Sequence, residues 1–298
     1  MKKTLLKPVF LTFVCGAFLF SCTTDNQDNQ DNIDNEVFDP NSSLNTVFDG
    51  KIFSIPSPVQ TAYLIKSLDL PFDGTLLNDD KTVGEYVTDY KQALNLGIYG
   101  TDLGYSTLYD QKNVTMRYLS SVEKLTSELG LDAAFDTSFL KRFEENNGEE
   151  DSMILLMSDA FRQADNFLKQ ANRKSTSALI LTGGWIESIY IACQLNEKKS
   201  NTDIRRRIGE QKQSLNSIIK ILQEYNKGGS NDGLIAELED LEESFDKINM
   251  TYEYAAPETS KEEKLTTFHH TLDIEIDDVI LNEIKTKIEA IRSNITNA

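Results

Sequence analysis

The chain has 298 residues, 39% of them hydrophobic, with 30 basic and 48 acidic side chains and a net charge of −18. That is enough apolar material for one large domain or two small ones, and too much for a disordered chain. The acidic balance argues against nucleic acid as a partner, because phosphate contacts need clustered Lys and Arg, and against an electrostatic hold on anionic lipid.

The N-terminus carries a basic patch (Lys2, Lys3, Lys7) followed by an apolar run from Val9 to Phe20, too short to span a bilayer comfortably. The run ends in Leu19-Phe20-Ser21-Cys22, with a small residue directly before the cysteine. This stretch resembles the lipobox of a bacterial lipoprotein precursor, although Phe20 is bulkier than that position usually holds. The resemblance implies cleavage before Cys22, acylation of its thiol and new α-amine, and attachment to the lipid bilayer through those chains. Several acyl chains on one residue exceed the reversible affinity of a single chain. Loss of Lys2, Lys3 and Lys7 with the leader takes the remainder from −18 to −21. With that charge, lipid is the expected means of attachment.

From Thr23 to about Asn45 the chain is low in complexity and repeats Asp-Asn-Gln. It has little to bury and reads as a disordered acidic tether. Its Asp residues recur every three positions rather than at alternate ones, and the glycine of an EF-hand loop is missing. An acidic stretch behind the cysteine resembles the export signals of Bacteroidota lipoproteins and points to the outer membrane, on its periplasmic face or at the cell surface. The expected organisation is therefore a signal peptide at 1–21, lipidated Cys22 and tether at 22–45, and a folded domain at 46–298.

Within the folded part, Ser57-Pro58 predicts a helix start, with Ser as N-cap and Pro at the first helical position. Between Pro71 and Pro257 there is no proline, which suits consecutive long helices. Apolar residues recur at helical spacing in five stripes: Val114–Leu129, Met153–Ala171, Ile204–Tyr225, Leu234–Ile248 and Val279–Ile291. Gly130, Asn146-Asn147-Gly148 and Gly228-Gly229 mark the breaks. Tyr252–Thr271, with Pro257, charges and threonines, reads as a loop with at most a short extended piece. Ala178–Leu195 is apolar on nearly every face. Glu187 near its centre would cost about 2.5–3.5 kcal/mol in a bilayer, so a central bundle helix is expected there rather than a membrane span. The fold class is all-α, an antiparallel multi-helix bundle.

Residues 94–109 and 179–194 align weakly at an offset of 85, pairing Asp102 with Glu187 and Tyr105 with Tyr190. Each block precedes a second amphipathic helix, so the pattern allows a duplicated helical hairpin with added helices. Both blocks contain glycines that weaken a helix: Gly97, Gly100 and Gly104 in the first, Gly183 and Gly184 in the second. Close backbone crossing is the main expectation for them. The alternative is a ligand pocket between segments 85–110 and 176–197, lined by Asp102, Tyr105, Trp185, Glu187 and Tyr190.

No catalytic residue, metal site or cofactor is expected. His269 and His270 are adjacent and so point to different faces, the metal-site spacings are absent, and there is no nucleophile elbow or phosphate loop. Acid pairs such as Glu144-Glu145, Glu149-Glu150 and Glu242-Glu243 read as turns or solvated faces, as does Arg205-Arg206-Arg207. Cys193, alone in an apolar helix, reads as a small buried hydrophobe. The expected task is non-enzymatic: an envelope lipoprotein whose helical domain presents a surface to a protein partner.

Overall fold

The computed structural model describes residues 45–48, 51–54, 70–135, 139–146, 149–260, 265–267, 269 and 271–297. The leader, Cys22, nearly all of the tether and the helix start at Ser57-Pro58 lie outside the described residues. Among the described residues nine α-helices dominate: α1 (Asp89–Leu108), α2 (Lys112–Glu128), α3 (Phe139–Glu145), α4 (Glu150–Gln170), α5 (Lys174–Lys198), α6 (Thr202–Glu210), α7 (Lys212–Glu224), α8 (Asp232–Asp246) and α9 (Asp278–Thr296). The protein is predominantly all-α, as the apolar periodicity predicts.

Helix boundaries follow local chemistry. Thr88 caps α1 by accepting from the Lys91 N–H, Asn201 caps α6 through Asp203 and Ile204, and Asp277 caps α9 through Ile280. Gly130, Gly228 and Gly229 take positive φ at helix ends, where a Cβ would be strained. The stripe expected as one helix from Ile204 to Tyr225 is divided into α6 and α7 at Gln211. The Gln211 side chain is turned inward there and accepts a hydrogen bond from Trp185.

The centre of the fold is the pair α1 and α5. α5 is long and apolar enough to cross a membrane by length and composition, but 83% of its most apolar window is buried inside the fold. It is surrounded on all sides, which is why apolar residues occupy nearly every face. The two helices meet without side chains between them. A Cβ on Gly97 would stand 2.0 Å from the Ile180 carbonyl oxygen and 2.5 Å from the Gly184 nitrogen; one on Gly183 would stand 2.0 Å from the Leu94 carbonyl oxygen.

The expectation of antiparallel packing fails at this pair. Leu94 lies at Gly183, Thr101 at Gly184 and Asp102 at Glu187, so residue numbers rise together and the helices run parallel. α9 runs against both: Asn95 bonds to Ile295, while Glu187 pairs with Arg292 and Glu197 with Lys285. α4 also opposes α1, with Phe161 against Gly100 and Met157 against Gly104. Short loops do give antiparallel neighbours, but α1 and α5 are joined through three intervening helices, and such a crossover permits the parallel arrangement.

Among the described residues there are three two-stranded antiparallel sheets, more than the short extended piece that the sequence allows for. β1 (Asn45–Phe48) pairs with β2 (Lys51–Ser54) and sends Phe48 into the core, against Tyr225 and beneath the Lys169 ammonium. β3 (Asn249–Glu253) pairs with β6 (Thr271–Glu275), and β4 (Glu258–Ser260) with β5 (Leu265–Thr267). The region expected as a loop is thus a two-tiered β-ribbon inserted between α8 and α9. Its alternation of apolar and polar residues is too short, and too interrupted by charges and Pro257, to announce strands.

Gly97→Ala and Gly183→Ala should each destabilise the protein by about 3 kcal/mol or more, because rigid backbone on the partner helix meets the added methyl. Gly233→Ala, in the open first turn of α8 with nothing within 4 Å, should be neutral or stabilising by about 0.5–1 kcal/mol. Chemical denaturation of the three variants checks the contrast.

Candidate functional site

The parallel crossing brings Asp102 of α1 and Glu187 of α5 within hydrogen-bonding reach, both with no solvent exposure. Two carboxylates buried together repel, and each has lost its water, so a counter-charge or a proton must be supplied. α9 supplies the charge. Arg292 donates from Nε to Glu187 Oε2 at 2.5 Å and from Nη2 to Glu187 Oε1 at 2.7 Å, a two-pronged pair. Its guanidinium lies 4.1 Å from the centre of the Tyr190 ring, and Nη2 also donates to the Leu76 carbonyl. Burial opposes the Arg292 charge, but Glu187 and Asp102 more than offset this and keep it protonated.

One guanidinium balances one carboxylate, and Asp102 is the group left over. Burial, followed by the neighbouring Glu187 charge, raises its pKa well above the usual carboxylate range, against the smaller opposing pull of Arg292. Asp102 Oδ2 accepts from the Asn78 N–H at 3.0 Å, whereas Oδ1 has no hydrogen-bond partner among the described residues. A proton on Asp102 lets its carboxyl donate towards Glu187 and leaves the cluster neutral.

The cluster also holds the irregular segment before α1. Tyr118 donates to the Asn78 carbonyl at 2.6 Å, Tyr99 to the Asp79 carbonyl at 2.7 Å, and Asn78 Nδ2 to Tyr86 and Asn95. Burial raises the pKa values of Tyr99 and Tyr118, so both remain phenolic donors. Residues 74–86 contain only short 3-10 turns. Their backbone groups therefore depend on these side chains for partners. The arrangement reads chemically as a lock between α1, α2, α5, α9 and this segment.

The five residues expected to line a pocket do not converge on one. Asp102, Glu187 and Tyr190 meet in the cluster. Tyr105 is stacked on Phe72 and accepts from the Asp73 N–H, with burial pushing its phenol up to about 12. Trp185 donates from Nε1 to Gln211 at 3.2 Å and sits near Phe245. The room expected from the glycines is filled: Gly97 and Gly183 face backbone, Gly100 faces the Phe161 ring, and Gly104 faces Met157 Cε. The Gly184 carbonyl accepts from Thr101 and Ser188.

Arg292 and Asn78 are functional parts of the cluster that the sequence reading misses. Arg292 follows Ile284 and Ile288 at helical spacing on the inward side of α9, and that position is the one signal that could have exposed it. The arginine run expected as a solvated face lies partly exposed near the start of α6 and is also ion-paired, Arg205 with Asp278 and both Arg206 and Arg207 with Glu210. His269 is exposed on the ribbon, 3.4 Å from Glu258. Among the described residues, no group of three His, Cys, Asp or Glu side chains could hold a metal ion.

No family model, curated protein or solved structure matches the chain.

Arg292→Met leaves Glu187 buried without its counter-charge and should cost about 3–5 kcal/mol in chemical denaturation. Asp102 binds its proton more readily folded than unfolded. Its stabilising contribution is therefore complete below the unfolded value near 3.9 and is lost as pH rises through the raised folded value. Asp102→Asn should remove that part of the pH dependence and match or exceed the parent's stability on the alkaline side. Cys193 is buried, and burial followed by the Glu289 charge pushes its thiol up to about 12. It should resist a thiol-specific reagent in the native protein at pH 8 and react only on unfolding.

Proposed function

We propose that this protein is an envelope lipoprotein, attached to the outer membrane by acyl chains on Cys22, whose helical body carries a contact surface for a protein partner. The anchoring half rests on the Leu19-Phe20-Ser21-Cys22 stretch and the acidic tether behind it. The remaining acidic charge offers no alternative grip on anionic lipid. The partner half rests on where exposed apolar surface lies. Among the described residues, the large hydrophobics left open to solvent are Val87, Tyr252, Tyr254, Leu265, Leu272 and Val279. All but Val87 fall in the ribbon or at the start of α9. Clustered exposed apolar side chains mark interaction surfaces more often than scattered ones do. In this reading the bundle is a rigid, non-enzymatic mount, and the strands it displays make the contact.

The interior supports a mount rather than a receptor for small molecules. The carboxylates, the guanidinium and the glycines that a pocket would use are engaged with one another or with neighbouring backbone.

Two measurements in the native envelope test the halves separately. Mass spectrometry should find acyl chains on Cys22, and Cys22→Ser should release the protein from the membrane fraction; a Cys22→Ser protein that stays membrane-bound contradicts the anchor. A photo-cross-linking residue at Leu265 should give a discrete adduct with another envelope protein, and one at Glu224, on the bundle, should not. Equal adducts from both positions, or none from Leu265, contradict the contact surface.

A further inference from the structure

Residues 74–86 lie across the polar cluster as a strap whose short 3-10 turns satisfy few of its backbone groups. Side chains of three helices hold it down. Arg292 of α9 donates to the Leu76 carbonyl at 3.2 Å, and Asp102 of α1 accepts from the Asn78 N–H at 3.0 Å. Tyr118 of α2 donates to the Asn78 carbonyl at 2.6 Å. Leu76 and Asn78 are buried by these contacts, and the strap in turn helps to keep water from Asp102 and Glu187.

Charge count decides what this enclosure can hold. Two carboxylates meet one guanidinium, so the closed arrangement with both ionised carries an uncompensated negative charge out of water. The neighbours of Asp102 are Glu187 and Tyr190 from α5, Arg292 from α9, Tyr118 from α2 and Tyr99 from α1 itself. Burial raises the pKa values of all three phenols, which stay neutral. The strap presents the Asn78 N–H, and α4 presents the uncharged Phe161 and Met157 to this stretch of α1. Further out, Asp80 and Arg117 pair with each other. An ionised Asp102 would keep the Asn78 N–H as its one hydrogen-bond donor among the described residues.

We infer that the strap is a proton-gated latch, shut over Asp102 while that carboxyl keeps its proton and lifted when the proton leaves. Lifting admits water to Asp102, and a hydrated carboxylate no longer needs the proton. Ionised in place, Asp102 also competes with the Leu76 carbonyl for the Arg292 guanidinium, because a carboxylate is the stronger acceptor. Both effects act in the same direction. The closed state binds the proton more tightly than the open one, so closure is complete at low pH and is lost as pH rises through the raised value of Asp102. The crossing at Gly97 and Gly183 contains no titrating group, so the opening is confined to the strap. The latch stands independently of the partner-binding reading.

The test is hydrogen exchange read by mass spectrometry on the full-length protein in neutral detergent, from pH 5 to pH 10, corrected for the intrinsic pH dependence of exchange. One proton released on opening changes the equilibrium about tenfold per pH unit. Strap peptides covering residues 74–82 should therefore lose protection by up to about tenfold per unit above the titration of Asp102, while peptides from the middle of α5 keep theirs. Asp102→Asn cannot ionise and should keep the strap protected throughout. Glu187→Gln leaves one carboxylate for one guanidinium and should also flatten the profile. A flat profile for the parent strap overturns the inference, as does an equal alkaline loss in Asp102→Asn. An unchanged alkaline loss in Glu187→Gln does so too, and that variant decides alone if Asp102→Asn does not fold. Strap and α5 peptides losing protection together would equally overturn it, because the whole body would then be unfolding.

Discussion

Two helix backbones touch at Gly97 and Gly183, and the rest of the protein is arranged by that contact. Any side chain larger than hydrogen at either position would separate α1 from α5, because what stands opposite is carbonyl oxygen and amide nitrogen, not a side chain that can swing away. The close approach carries a cost: each glycine weakens its helix by about 1 kcal/mol relative to alanine. The return is a long, tight interface along which a threonine can donate across to the other helix's carbonyl, as Thr101 does to Gly184. Parallel register then fixes everything downstream of the crossing, including the meeting of Asp102 with Glu187.

That meeting gives the interior its polar cluster. Buried ion pairs are poor sources of net stability, because desolvation offsets most of the Coulombic gain. What the Asp102–Glu187–Arg292 cluster contributes is a single permitted arrangement. Arg292 must come from α9 at one height, Asn78 must present its N–H from the preceding segment, and Tyr118 must reach from α2 to the Asn78 carbonyl. A slip of any element strands a charge or a backbone group in the core.

The helices could be read from the chain because their stripes are long and their caps conventional, as at Asn201 and Asp277. The glycines could be read as a crossing because five of them fall in the two most apolar segments. The direction of packing could not, since nothing local distinguishes a parallel from an antiparallel neighbour when three helices intervene. Pairing Asp102 with Glu187 was visible through the weak internal alignment, whereas Arg292, a charged residue in line with Ile284 and Ile288, carried no sign of the carboxylate it meets on another helix. Trp185 and Tyr105 were grouped with the carboxylates by proximity in sequence, yet helical rotation sends them to Gln211 and to Phe72. The ribbon escaped notice because four short strands pair over a distance that periodicity cannot sense.

A body locked in this way suits the proposed role of a rigid mount for the exposed ribbon. The account depends on the parallel crossing, and the protonation of Asp102 reports on it directly, because only that register buries the carboxyl against Glu187. The decisive measurement is the carboxyl-carbon NMR titration of Asp102, assigned by comparison with Asp102→Asn. Burial beside Glu187 predicts a carboxyl that titrates well above the ordinary aspartate value. A carboxyl that titrates at or below the ordinary aspartate value of about 3.9 would contradict the parallel crossing.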